Sequence, residues 1–141
     1  MIADTSFVVA LMNATDADHH TVRAFFGRRP QPLETTPLAL AEIDHLVTRQ
    51  GGAAAAASLR TQLESGGLRV EWWPDALRSL VEVAARHASM GIGLADASLV
   101  ALAGHVGTAS IATLDERHFR HLTPLTGEAA FTLLPTDAPA D

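Results

Sequence analysis

Four acidic residues that are far apart along the chain have the type and the placement to share one site. Asp4 follows a short apolar segment at the start of the chain, and Asp115 follows another, residues 109–114. Parallel strands end at one edge of a sheet, where α/β proteins place their sites, so these two carboxylates are expected to meet. Glu42 and Asp96 lie in helical segments that the same sheet can bring beside them.

Carboxylates that converge in a partly dry cleft repel one another, so they cost stability unless a divalent cation lies between them. Mg²⁺ and Mn²⁺ take oxygen ligands and keep several water molecules, so a few carboxylates from separate elements suffice. Such an ion can activate a water for in-line attack on a phosphodiester and stabilise charge on the leaving 3′ oxygen. We therefore expect a metal site that cuts RNA and leaves 5′-phosphate and 3′-hydroxyl ends.

Neighbouring polar residues suggest supporting roles. We expect the hydroxyls of Thr5, Ser6 and Thr113 to hydrogen-bond the carboxylates or the metal-bound water, although each can equally satisfy a local backbone group. Arg117 and Arg120 are the best candidates for contacts with RNA phosphates, against a default of a solvated face.

Each acid also has an ordinary structural explanation. Asp4 and Asp115 can cap the turns that follow them, and Asp96 suits the first turn of its helix. Glu42 can be a solvated edge residue, and Asp44 flanks the same helix face on its other side, so spacing does not decide between these two. Any one acid can have only such a structural role, but it is harder to argue that all four do.

Histidines and tryptophans do not extend this site in our interpretation. The adjacent pair His19-His20 diverges on a helix, and we assign His118 and His121 to solvated surface or RNA contact rather than to zinc. The pair Trp72-Trp73 is expected to pack in the core and at its edge rather than to stack on bases.

Strands and helices alternate along the chain, without internal repeats or a linker. This pattern predicts one three-layer α/β/α domain over residues 1–141, with a central parallel sheet of four or five strands and a frayed tail from residue 135 onward. The predicted strands are the chain start and residues 33–35, 68–72, 109–114 and 130–134. The predicted helices are 6–13, 17–27, 37–49, 53–64, 74–89 and 94–106, and residues 115–119 are predicted to turn into a short helix. Two helices show apolar residues at helical spacing, which predict their buried sides: Leu77, Leu80, Val81 and Ala84, and Leu99, Leu102, Ala103 and Val106.

Composition limits the classes of function. The 141 residues are 48% hydrophobic, contain no apolar run near the ~20 residues of a membrane span and show no signal peptide, so we expect a cytoplasmic protein without a membrane. The absence of cysteine excludes disulfides and thiolate metal sites. The net charge of −6 argues against binding nucleic acid through a basic face, so an acidic nuclease needs a metal ion or a partner protein.

The chain resembles the PIN-domain fold, and specifically the VapC toxins of bacterial VapBC toxin–antitoxin pairs. The resemblance covers essentially the whole chain and rests on four motifs in order, none of them specific alone: Asp4-Thr5-Ser6 after the first strand, Ala41-Glu42-Ile43, Leu94-Ala95-Asp96-Ala97, and Thr113-Leu114-Asp115 with Phe119 four residues beyond.

This resemblance implies a Mg²⁺- or Mn²⁺-dependent endoribonuclease that inhibits translation by cutting tRNA or a ribosomal RNA loop. Its implied catalytic and metal-binding residues are Asp4, Glu42, Asp96 and Asp115, which leaves Asp44 accessory. The resemblance also implies a homodimer and a VapB antitoxin, whose C-terminal segment crosses the acidic cleft and often presents an Arg there.

Two alternatives from other classes stay open at this point. One is a different metal-dependent phosphohydrolase, such as a phosphatase with Asp4 as nucleophile, but those chains usually carry a second Asp where this chain has Ser6. The other is a catalytically inactive PIN-like interaction domain, and the presence of all four acids argues against it.

Overall fold

Five short strands form the central sheet of the protein. The structure is a computed structural model, which describes residues 1–139. They are β1 (Ile2–Ala3), β2 (Leu33–Thr35), β3 (Leu68–Val70), β4 (Ser110–Ala112) and β5 (Thr132–Leu134). All neighbouring strands are parallel, in the order β3-β2-β1-β4-β5. The predicted parallel sheet is thus confirmed, and β1, the first strand of the chain, lies at its middle.

Six helices cover the two faces of this sheet: α1 (Thr5–Met12), α2 (His19–Arg28), α3 (Pro37–Ser65), α4 (Ala76–Arg86), α5 (Leu94–Val106) and α6 (Glu116–Phe119). Successive residues of a strand point to opposite faces of the sheet, so each central strand contributes side chains to two hydrophobic cores. Ile2 and Ile111 pack in one core with α4 and α5. Ala3 and Ala112 pack in the other with α1, α2 and α3. These two cores confirm the three-layer arrangement.

The start of α3 and the break in its middle follow from the local sequence. Thr36 accepts a hydrogen bond from Ala39 N at 3.2 Å, and Pro37 occupies the first helical position, where a missing N–H costs nothing. Gly52 interrupts the helix with φ 65° and ψ −159°. The two helices predicted over 37–49 and 53–64 are therefore two halves of α3 on either side of this glycine.

Three apolar residues predicted to be buried are exposed instead. Leu77 and Val81 are 65% and 52% exposed, because α4 packs through the neighbouring stripe of Ala76, Leu80 and Val83. Val106, at the last position of α5, is exposed as well, whereas Leu99, Leu102 and Ala103 are buried as predicted.

The predicted pair Trp72-Trp73 divides between surface and core edge. Trp72 is exposed, and Trp73 packs against the core with its ring stacked on His105 at a centroid distance of 4.5 Å. The assignment of this pair to core and edge packing therefore holds for Trp73 alone.

The tail expected to be frayed from residue 135 is fixed as far as Asp137. The backbone N–H of Asp137 donates to Leu133 O at 2.7 Å, and its carboxylate accepts hydrogen bonds from Arg120. The composition of the tail did not predict this attachment, because Arg120 and Asp137, the two residues that form it, are both polar. Residues 140 and 141 of the predicted tail lie outside the described residues. Within residues 1–139, no helix combines the length and the apolar character that crossing a membrane requires.

The backbone of Gly52 yields a stability prediction. Gly52→Ala is expected to lower the free energy of unfolding by about 1–3 kcal/mol, because only glycine adopts this region of φ and ψ at low cost. The measurement is the midpoint of urea unfolding. Gly27→Ala, in α2 with open space around the added methyl, is the control and should raise stability by roughly 0.5–1 kcal/mol. Equal midpoints for the two variants would contradict the strain at Gly52.

Candidate active site

Asp4 lies where β1 gives way to α1 and is almost completely buried. It occupies the N-cap position of α1 but makes no side-chain capping hydrogen bond. Its Oδ2 instead accepts hydrogen bonds from Ser6 Oγ at 2.7 Å and from Thr113 Oγ1 at 2.8 Å. Asp4 therefore does not cap α1 with its side chain. Its hydrogen-bond partners are Ser6, close to it in sequence, and Thr113, far from it.

The same two hydroxyls join the ends of β1 and β4. Ser6 Oγ accepts from Leu114 N at 2.9 Å, and Thr113 Oγ1 accepts from Asp115 N at 3.0 Å. Each hydroxyl thus donates to the Asp4 carboxylate and accepts a backbone N–H near Asp115. This arrangement fixes the distance between two carboxylates that are 111 positions apart in the sequence.

Glu42 is brought to the site by the first half of α3. Thr5 Oγ1 donates to Glu42 Oε2 at 3.1 Å, which links this helix to the start of α1. Thr36 and Ser98 hydroxyls, 2.6 Å apart and buried, link the start of α3 to the first turns of α5, where Asp96 lies. Asp44 does not line the site cavity, in contrast to Glu42.

A cavity of about 410 Å³ holds all four predicted acids. Sequence reasoning missed Asp16 and Asp18, which lie in the segment before α2 and also line this cavity, so six carboxylates surround it. The complete lining consists of Asp4, Thr5, Ser6, Val9, Asp16, Asp18, Glu42, Leu46, Gln50, Asp96, Leu114, Asp115 and His118.

The pKa of Asp96 is raised from its ordinary value of 3.8 to about 6, first by burial and then by the charges of Asp4, Glu42 and Asp115, while His118 opposes them. A carboxylate placed only to interact with the helix dipole would be stabilised as an anion. The partly buried position among like charges therefore distinguishes Asp96 from a simple first-turn acid.

His118 stands between two of the acids. Its Nδ1 is 3.5 Å from Asp96 Oδ2 and 3.4 Å from Asp115 Oδ2, and its side chain is about half exposed. The sequence placed His118 on the surface or against RNA. The signal that it faces the acids was its position three residues after Asp115, one turn along a helix.

Comparison with known proteins agrees with this geometry. The family model described as PIN domain matches residues 1–123. Ribonuclease VapC26 of Mycobacterium tuberculosis is 32% identical over 136 residues, which are 96% of this chain and 100% of that protein. The chain belongs to the VapC family of PIN-domain proteins. The crystal structure of Mycobacterium tuberculosis VapC20, a sarcin–ricin loop cleaving toxin, matches with a TM-score of 0.72 and 28% identity over 82% of this chain and 89% of that chain.

In this VapC-family protein, the two arginines proposed for RNA contact differ in their exposure and in their side-chain partners. Arg117 is 92% exposed, with its Nε 3.9 Å from Asp115 Oδ1, so it can reach a phosphate at the cavity rim. Arg120 instead directs its guanidinium at Asp137 and Glu116. The expectation that Arg120 contacts RNA stays a prediction, although its Nε and both terminal nitrogens already donate to carboxylates of the chain.

The donor set of the VapC-family site suits a hard divalent cation. Within the described part of the chain, no three acidic or histidine side chains are arranged to hold an ion by themselves. Mg²⁺ usually keeps several waters and binds through one or two carboxylates, so it does not require such a closed group. Oxygen donors predominate, with His118 as the single imidazole lining the cavity, and the charges of Asp4, Glu42 and Asp115 contribute to the raised pKa of Asp96.

Repulsion at Asp96 yields a prediction for metal-free buffer. The folded-state pKa of Asp96 is raised, so its contribution to stability is present below pH 4 and is lost as the pH rises through about 6. Asp96→Asn removes this loss and is expected to raise the free energy of unfolding at pH 7 by about 1 kcal/mol, after allowance for solvent screening. The measurement is thermal unfolding in EDTA at pH 4 and pH 7.

Asp44→Asn is the matched control, since this exposed carboxylate lies outside the cavity, and it should leave the pH dependence unchanged. A melting temperature that falls in Asp96→Asn would mean that this carboxylate stabilises its helix and is not repelled by its neighbours.

Proposed function

We propose that this chain is the toxin of a toxin–antitoxin pair and a Mg²⁺- or Mn²⁺-dependent endoribonuclease. It inhibits translation by hydrolysing phosphodiester bonds in structured RNA, in tRNA or in a ribosomal RNA loop. The observation that carries this proposal is the single cavity lined by Asp4, Glu42, Asp96 and Asp115, in a fold of the VapC family. These four residues are the proposed catalytic and metal-binding set.

The hydrogen bonds of the cavity assign a role to each hydroxyl. Ser6 and Thr113 both donate to Oδ2 of Asp4, which orients the carboxylate and leaves Oδ1 for an ion. Thr5 orients Glu42 in the same way from the start of α1. A divalent cation bound among these carboxylates would supply activation of a water and neutralisation of charge on the phosphoryl oxygens.

The surface charge supports a role for a partner protein. The chain has ten Arg, no Lys and a net charge of −6, so RNA binding draws on the bound cation and on rim residues such as Arg117. The same acidic cavity suits a basic segment of a VapB-type antitoxin. We further propose that the protein acts in the cytoplasm as a homodimer.

The ribosomal RNA loop is the first substrate to test. VapC20, the matched solved structure, is a sarcin–ricin loop cleaving toxin, and it shares 28% identity and most of its length with this chain. Mapping the cleavage ends on ribosomal RNA and tRNA distinguishes the two substrates. The ends should carry 5′-phosphate and 3′-hydroxyl groups, as water-mediated in-line attack with a 3′ leaving oxygen requires.

Cleavage of RNA by the purified protein tests the activity itself. We expect cleavage with Mn²⁺ or Mg²⁺ and none with EDTA. Asp4→Ala and Asp96→Ala should each lower the rate by about 10²–10³, the scale expected for losing a group that stabilises developing charge. Unchanged rates in both variants would refute the assignment of these acids, and inactivity of the wild type on all RNA would favour an interaction domain.

A second pair of variants separates the two acids of α3. Glu42→Gln removes a carboxylate that lines the cavity, whereas Asp44→Asn changes an exposed one that does not. We expect loss of cleavage in the first variant and wild-type cleavage in the second. The opposite result would place Asp44 in the site.

A further inference from the structure

Arg120, which directly follows α6, donates four side-chain hydrogen bonds to two carboxylates. Its two terminal nitrogens donate to Oδ2 and Oδ1 of Asp137, both at 2.6 Å. Its Nε and Nη2 also donate to Oε2 of Glu116, at 3.2 and 3.0 Å. Paired bonds of this kind fix the planar guanidinium more firmly than a single contact does. They lower the pKa of Asp137, together with the N–H of Leu133.

Asp137 is itself held by the sheet. Its Oδ2 accepts from Leu133 N at 2.8 Å, and its own N–H donates to Leu133 O at 2.7 Å. Leu133 lies in β5, in register with Ile111 of β4. Asp115 follows β4, so the hydrogen bonds of Arg120 close a ring that runs from β4 through Asp115 and α6 to Asp137 and back to the sheet.

Helix α6 needs an external attachment of this kind. It has four residues, far fewer than an isolated helix needs in water, and Phe119 is its one buried side chain. Asp115 precedes it with non-helical backbone angles and without a side-chain cap, and His118 projects from it towards Asp96 and Asp115. The position of α6 therefore decides where two groups of the cavity stand.

We propose that Glu116, Arg120 and Asp137 form a clamp through which the C-terminal segment holds Asp115 and His118 in the acidic cavity. This inference rests on the proposed function and deepens it, since it names positioning residues for the same site. Asp137 lies beyond residue 123, where the match to the PIN domain family model ends, so the clamp joins residues inside that match to the segment that follows it.

The test compares two arginines three positions apart in the full-length protein. Arg120→Gln and Asp137→Asn are each expected to weaken Mn²⁺ binding about tenfold, as loss of a group that orients metal ligands does. They should lower kcat for RNA and leave KM within about twofold. Arg117→Gln, the matched control, removes an exposed positive charge beside Asp115, so it should not weaken Mn²⁺ binding and should raise KM. Calorimetry gives the Mn²⁺ affinity independently of cleavage.

Two further variants guard against simple unfolding. Glu116→Gln keeps the Arg120–Asp137 pair and loosens only the attachment to α6, so it should fold, as judged by its melting curve, and still bind Mn²⁺ more weakly. The double variant Arg120→Gln/Asp137→Asn should be no worse than the stronger single variant, because both substitutions remove one interaction.

Opposite results overturn the clamp in distinct ways. Wild-type Mn²⁺ affinity and kcat in folded Arg120→Gln and Glu116→Gln would show that the hydrogen bonds position nothing. A raised KM with unchanged kcat in Arg120→Gln would make Arg120 an RNA contact. A wild-type protein that binds Mn²⁺ but cuts no RNA would refute the proposed function while the Mn²⁺ comparison still decides the clamp, and a wild type that binds no Mn²⁺ would refute both.

Discussion

Repulsion among carboxylates that line one cavity is the constraint on which the rest of this structure depends. Six acidic side chains line this cavity, and burial together with the charges of three of them raises the pKa of Asp96 to about 6. A fold tolerates such a cost only where surrounding groups hold the acids in place and a cation can be taken up. The hydroxyls of Thr5, Ser6 and Thr113 meet the first condition, since each donates to a carboxylate of the site. The cation that these oxygens favour meets the second.

Parallel strand order explains why these acids meet at all. β1 and β4 are neighbours, so the residues that follow them emerge at one edge of the sheet, and α3 and α5 reach the same edge from opposite faces. The hydrogen bond between Thr36 and Ser98 joins the starts of these two helices below the cavity. The site is therefore a property of the packing of four elements, and no single element contains it.

Sequence reasoning anticipated the features that periodicity encodes. β2 and α5 begin and end at the predicted residues, because Thr36-Pro37 and Gly107 are strong boundary signals. Strand β4 is shorter than predicted at its carboxyl end, where the backbone N–H of Leu114 donates to Ser6 Oγ instead of to a neighbouring strand. Spacing did not separate Glu42 from Asp44, since their difference lies in how α1 packs against α3.

Contacts between distant polar residues escaped prediction for a different reason. Arg120 and Asp137 are 17 positions apart, one directly after a four-residue helix and the other after an edge strand, and neither belongs to a periodic pattern. His118 was likewise assigned to surface or RNA contact, because a helix of four residues carries no apolar face that would reveal its orientation. Tertiary pairing of this type becomes visible only with coordinates.

The position of β1 at the middle of the sheet has a consequence for biosynthesis. Strand β1 pairs with a neighbour, β4, that is translated more than a hundred residues later, and hydroxyl contacts such as that of Thr113 with Asp4 span 109 positions. Pairing over such separations is late in folding, since the intervening chain must be ordered first. A nascent chain therefore carries no assembled nuclease site until β4 and Asp115 have emerged from the ribosome.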